Sequence, residues 1–85
     1  MIKIFHDNYT QLIWAIKVED DKIEFYDCRF EHTDLGQFVS RYYVDTILNH
    51  SKGEGLNLQG DIPQWRISGS TMDRIVKWIR ETSNE

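Results

Sequence analysis

Cys28 and His32 stand four residues apart with Asp27 and Asp34 beside them, and His6 and His50 lie elsewhere in the chain. These residue types ligate metals or carry nucleophilic catalysis. A zinc site takes four ligands in closely spaced pairs, and this sequence offers one loose pair and no second cysteine. A cysteine nucleophile needs a base within hydrogen-bond reach and a third group orienting it, and the spacing supplies neither. Cys28 is therefore read as a small thiol that packs like a hydrophobe.

Other chemistry fails on similar grounds. Ser40, Ser51, Ser68 and Ser70 lack the glycine-flanked context that exposes a strained nucleophilic hydroxyl. Lys52-Gly53-Glu54-Gly55 is glycine-rich but lacks phosphate-loop spacing and places a carboxylate where a phosphate would sit. Glu19-Asp20-Asp21 offers three carboxylates on one turn, short of the oxygens a calcium ion collects. The expectation is no catalytic residue, no metal and no cofactor.

The elements that must position any surface follow from hydrophobic period. Leu12, Trp14, Ile16 and Val18 alternate with Ile13, Ala15, Lys17 and Glu19, which is a strand pattern. Ile2 to His6 forms a shorter strand before it, and Lys22 to Phe30 returns after the Glu19-Asp20-Asp21 turn with Ile23 and Phe25 on one face. Cys28 and Phe30 have the opposite parity from that pair, so a bulge or bend is expected near Tyr26-Asp27. After Thr33 the period changes: Leu35, Phe38, Val39 and Tyr42, widened by Tyr43, Thr46 and Ile47, have helical spacing. Asp34 and Gln37 have the form of a capping box, and Gly53 suits the helix's end.

Leu56 with Leu58, and Trp65 with Ile67, alternate on either side of a Gly60-Asp61-Ile62-Pro63 turn, predicting a second hairpin. Ser70 and Asp73 offer a second capping box, and Met72, Ile75, Val76 and Ile79 share the face of a last helix. The expected fold is α+β: one domain over residues 1–85, with a single antiparallel sheet of four to five strands in the order β-β-β-α-β-β-α. Both helices should cover one face of that sheet.

Length and charge bound the function. An 85-residue chain has room for one core, and its 13% aromatic content supplies large rings to fill it. No apolar run reaches membrane-spanning length and the N-terminal residues alternate, so no leader or membrane segment is expected. With its single cysteine the chain is expected in a reducing, cytoplasmic setting.

Net charge is −4, and residues 1–34 hold eight acids against four bases. That balance disfavours phosphate backbones and suits a basic protein partner, unless the acids only solvate turns. Tyr26 and Arg66 are candidates for an open sheet face. Val44, Leu48 and Trp78 fall outside the expected core faces, with Arg74 one turn before Trp78. They either form an exposed contact cluster or are buried between the helices.

The function expected from this pattern is non-enzymatic protein binding, as an inhibitor or accessory factor of the kind mobile elements encode. Val44, Leu48, Arg74 and Trp78 would anchor on a partner or a second copy, and Asp20 and Asp21 would set orientation. One alternative is a nucleic-acid regulator using Arg74, Lys77 and Arg80 of the last helix. Another is a small enzyme, or an enzyme subunit, reacting through His32 or Cys28.

Overall fold

The computed structural model describes residues 1–29, 36–58 and 65–83. Four strands, β1 (Ile2–Asp7), β2 (Leu12–Glu19), β3 (Lys22–Asp27) and β4 (Gln37–Tyr43), form an antiparallel meander in the order β1-β2-β3-β4. A short helix α1 (Val44–Leu48) follows, then the paired strands β5 (Leu56–Asn57) and β6 (Arg66–Ile67), then helix α2 (Gly69–Ser83). The class is α+β. Two details of layout differ from the sequence expectation: β5 and β6 make a separate two-stranded sheet, and a fourth strand stands where most of the first helix was expected.

That fourth strand has a physical cause. Gln37 to Val44 is rich in aromatic and β-branched residues, which fit a pleated surface better than a helix. Phe25 pairs with Ser40 and Tyr26 with Phe38, so Val39 is an extra residue on β4. A bulge of this kind breaks strict alternation, and the spacing of Phe38, Val39 and Tyr42 then imitates a helix face. The irregularity expected near Tyr26-Asp27 is thus present at Phe25 and Tyr26, but on the β4 side, while β3 runs in register with β2 as far as Asp27.

Gly36 leads into β4 with φ +100°, and a Cβ there would collide with the Asp27 carbonyl, so only glycine fits. Asp34, Leu35, Phe30, His32 and the Gly60–Pro63 turn lie outside the described residues. Gly53 has φ +82° but sits in the loop after α1, whose own end is Asn49.

The cap of α2 also moves. Ser68, not Ser70, accepts from the Thr71 amide through its hydroxyl at 3.3 Å, and the Asp73 carboxylate accepts instead from the Gly53 amide at 2.9 Å. Gly69 lies so close to the Gly53 carbonyl that a Cβ would overlap it, which brings the 53–55 loop against the start of α2.

One face of the sheet is closed. Phe5, Leu12, Trp14, Ile16, Val18, Ile23 and Phe25 bury against Ile47 of α1, Trp65 and Ile67, and Met72, Ile75 and Ile79 of α2. Both helices cover this face, as the alternation in β2 and the apolar stripe of α2 require.

Two buried carboxylates fasten that layer to the sheet. Asp27 is fully buried and accepts from the Trp65 indole N–H at 2.8 Å and from the Arg29 guanidinium at 2.9 Å. Asp7, also buried, accepts from the Tyr9 and Thr10 amides in the first turn and from the Ser68 amide at 2.7 Å. The pair therefore brackets β6, one at each end. Burial raises the pKa of both, but hydrogen bonds outweigh it, from Ser68, Thr10 and Tyr9 for Asp7 and from Arg29 and Trp65 for Asp27. Both are held below the ordinary aspartate range.

Candidate functional site

The other face of the sheet carries no layer among the described residues. Pairing registers place its side chains in rows across the strands: Ile2, Lys17, Glu24 and Arg41 in one, Ile4, Ala15, Tyr26 and Phe38 in the next. Glu19, Lys22 and Tyr43 form a third row. The row of Ile4, Ala15, Tyr26 and Phe38 is apolar or aromatic across the full width of the sheet. Ile2 (53%), Ile4 (48%), Phe38 (47%) and Tyr43 (57%) remain about half exposed, an unusual concentration for so small a surface.

Aromatic rings on this face are held in place by local contacts. Tyr26 and Phe38 meet edge to face at 5.6 Å, and the Tyr26 hydroxyl donates to Glu24 at 3.3 Å. Arg41 lies over the Phe38 ring at 5.8 Å and Lys22 over the Tyr43 ring at 4.5 Å. Each cation also has an acid partner: Lys17 with Glu19 at 3.2 Å, Lys22 with Asp21 at 3.1 Å, and Arg41 with Glu24 at 2.8 Å. The Arg41 hydrogen bond holds the Glu24 carboxyl below its usual range despite partial burial. A phosphate backbone would have to displace these partners.

Tyr26 thus faces out as the sequence suggested, but its neighbour is Arg41; Arg66 is on β6, in the other sheet. Ile2, Ile4, Phe38 and Tyr43 were missed. A signal for the first two was present, since Ile2 and Ile4 have opposite parity from Phe5, whose ring is buried. Phe38 and Tyr43 were hidden by the helical reading of their segment.

The six sequence-derived interface residues do not come together. Val44 and Leu48 are partly buried and pack against the core. Trp78 does the same, meeting Phe5 edge to face at 5.7 Å. Arg74 is exposed, yet its Nη2 donates to the His6 carbonyl at 2.7 Å and to Thr71 at 2.9 Å. Asp20 and Asp21 are exposed at the β2–β3 turn, Asp20 with φ +56°.

The acidic half is also less acidic at its surface than its composition implies. Of its eight acids, Asp7 and Asp27 are buried, Glu31 and Asp34 lie outside the described residues, and Glu19, Asp21 and Glu24 are paired with cations.

Along α2, Arg74 is tied to β1, Lys77 lies 3.8 Å from Glu81, and Arg80 donates to the Leu48 carbonyl at 3.2 Å. Cys28 is partly buried, and its thiol is pushed up by burial and by the Asp27 charge, opposite to what a nucleophile needs. Its expected neighbour His32 lies outside the described residues. Among the described residues no three His, Cys, Asp or Glu side chains gather to hold a metal ion, and no helix is long and apolar enough to cross a membrane.

A groove of about 250 Å³ runs between β1 and α2, lined by Lys3, Ile4, Phe5, Arg74, Lys77, Trp78 and Glu81. Another, of about 500 Å³, lies between α2 and the loop after α1, with His50, Lys52 and Arg80 among its walls. Compared with family models, with curated proteins and with solved structures, the chain finds no match, so its function must be argued from these surfaces.

Proposed function

We propose that this chain is a non-enzymatic, cytoplasmic protein-binding module, an inhibitor or accessory factor, whose contact surface is the outer face of the four-stranded sheet. The observation that carries this reading is the apolar row Ile4, Ala15, Tyr26 and Phe38, with Ile2 in the adjacent row and Tyr43 in the one beyond, left without a covering layer among the described residues. Large apolar side chains half in water favour removal from it, and rigid aromatic rings lose little freedom when they dock. The paired charges beside them, Lys17–Glu19 and Arg41–Glu24, form a polar band along one side of the apolar row that sets register. Asp20 and Asp21 stand at the end of this face next to Tyr43 and orient an approaching partner.

This replaces Val44, Leu48 and Trp78 as anchors, because those side chains already spend much of their apolar surface on the core. The nucleic-acid reading loses ground because Arg41 on the sheet and Arg80 on α2 hold intramolecular contacts and the chain carries a net charge of −4.

The test compares affinity capture by the tagged chain with capture by Phe38→Glu and Ile4→Glu. The expected result is one protein recovered in stoichiometric amount by the wild-type chain and lost with either variant, each still folded by circular dichroism. Recovery of nucleic acid alone, or of a protein indifferent to both substitutions, would overturn the proposal.

A further inference from the structure

The border between the outer face and the β1–α2 groove is an open strand edge. Met1 and Val18 exchange both backbone hydrogen bonds, at 3.0 and 2.8 Å. In an antiparallel ladder such pairs alternate, so Lys3, Phe5 and Asp7 also turn their amides and carbonyls toward β2. Ile2, Ile4 and His6 then turn theirs outward. Arg74 confirms this geometry, since it reaches the His6 carbonyl from α2. Helix α2 thus closes the edge at His6, and among the described residues no strand pairs with the outward N–H and C=O of Ile2 and Ile4.

We infer that this edge binds an extended, acidic segment of a partner protein as a fifth, antiparallel strand, lying in the groove between β1 and α2. The inference rests on the protein-binding reading above and names the partner's chemistry where the outer face ends at β1.

Strand addition obtains affinity from main-chain hydrogen bonds and specificity from the sockets that alternate side chains meet. Residues opposite Ile2 and Ile4 would place their side chains on the outer face, beside those two half-exposed isoleucines and at the end of the apolar row that runs from Ile4. The residue between them would point into the groove, where Lys3, Arg74 and Lys77 stand against the single carboxylate of Glu81. Lys3 lies over the Phe5 ring at 5.6 Å and Arg74 over the same ring at 5.9 Å, so two cations flank an apolar floor. Among the described residues Arg74 commits only Nη2, and Lys77 meets Glu81 at the long distance of 3.8 Å.

An acidic side chain therefore fits the groove and an apolar one fits the outer face, which specifies an alternating acidic-apolar segment. A second copy of the chain fits poorly. Pairing β1 with β1 about Ile4 would bring both sets of Lys3, Arg74 and Lys77 together without added acids.

The test uses the wild-type chain and a capped nine-residue peptide of alternating valine and glutamate. Nitrogen-15 spectra should show shifts concentrated at Ile2–Phe5 and Arg74–Trp78, with slowed amide exchange at Ile2 and Ile4. N-methylation of the valines removes the donors that face β1 and should abolish binding; N-methylation of the glutamates, whose amides face away, should leave it within about twofold. Lys3→Glu and Lys77→Glu, both at exposed positions, should each weaken binding about five- to tenfold.

Equal effects of the two methylation patterns, equal binding of a valine-lysine peptide, or self-association through β1 would each overturn the inference. Should the acidic peptide fail while capture of a natural partner still depends on Phe38 and Ile4, the strand-addition site falls and the protein-binding reading stands. Loss of both removes the two together.

Discussion

The two faces of one sheet solve opposite problems. On the inner face, Phe5 and Asp7 of β1 and alternate residues of β2 and β3 are buried, and the two acids among them, Asp7 and Asp27, are each satisfied by hydrogen bonds from far along the chain. On the outer face, apolar rings stay in water and every strand charge is paired with a near neighbour. Carboxylates are thus structural where they are hidden, and hydrophobic residues are available for contact where they are not. Position relative to the sheet, not residue type, decides which side chains are spent on the fold.

The sharpest way to break this contrast is to remove the buried acid. Asp27→Ala leaves the Trp65 indole N–H without its acceptor and removes the Asp27 carboxylate from Arg29, and should destabilise the fold by about 3 kcal/mol in urea titration. Asp27→Asn retains an acceptor and should cost less. If Asp27→Ala cost no more than a surface substitution, the idea that this carboxylate fastens β6 to the sheet would fail.

Acid should act on the same groups. Folded-state pKa values of Asp7 and Asp27 lie below the unfolded value of about 3.9, so their stabilisation is complete above that value and is lost as pH falls through the folded ones. Thermal midpoints measured in steps from pH 6 downward should fall in that acid window. Asp7→Asn should have a lower midpoint at neutral pH and a shallower decline below pH 4.

How far this division could be read from sequence depends on the segment. The alternation Leu12, Trp14, Ile16, Val18 gave β2 and its buried face, and Met72, Ile75 and Ile79 gave the buried stripe of α2, because each is a regular pattern with one period. Val39 defeats that reasoning, since its bulge depends on pairing with β3, which lies more than ten residues earlier in the chain. Asp7 accepts from Tyr9 and Thr10 within its own turn, but its bond to Ser68, 61 residues away, leaves no local pattern. Trp14 and Trp65 both look like core by parity. Only the structure separates Trp65, bonded to Asp27, from Trp14, whose buried indole N–H has no partner among the described residues.

Substitutions on the outer face should separate stability from binding. Phe38→Ser removes a half-exposed ring whose contacts are the edge of Tyr26 and the Arg41 guanidinium, so it should cost under about 1 kcal/mol of stability. Partner affinity should nevertheless fall at least about tenfold, measured by titration calorimetry once the partner is in hand. A large stability loss with unchanged affinity would reverse the roles assigned to the two faces.

The smallest effect belongs to the Arg41–Glu24 pair. Its geometry is good, with two guanidinium nitrogens donating to one carboxylate oxygen at 3.0 and 2.8 Å, but the Arg41 side chain is mostly in water. Solvent screening should hold the coupling between Arg41→Gln and Glu24→Gln to under about 1 kcal/mol in a double-mutant cycle, and 1 M salt should reduce it further. Asp27 and Glu24 sit three residues apart on one strand and each accepts from an arginine, so they differ chiefly in the face they occupy. A coupling at Glu24 as large as the loss at Asp27 would mean that the outer face is already a structural layer, with less surface left for a partner.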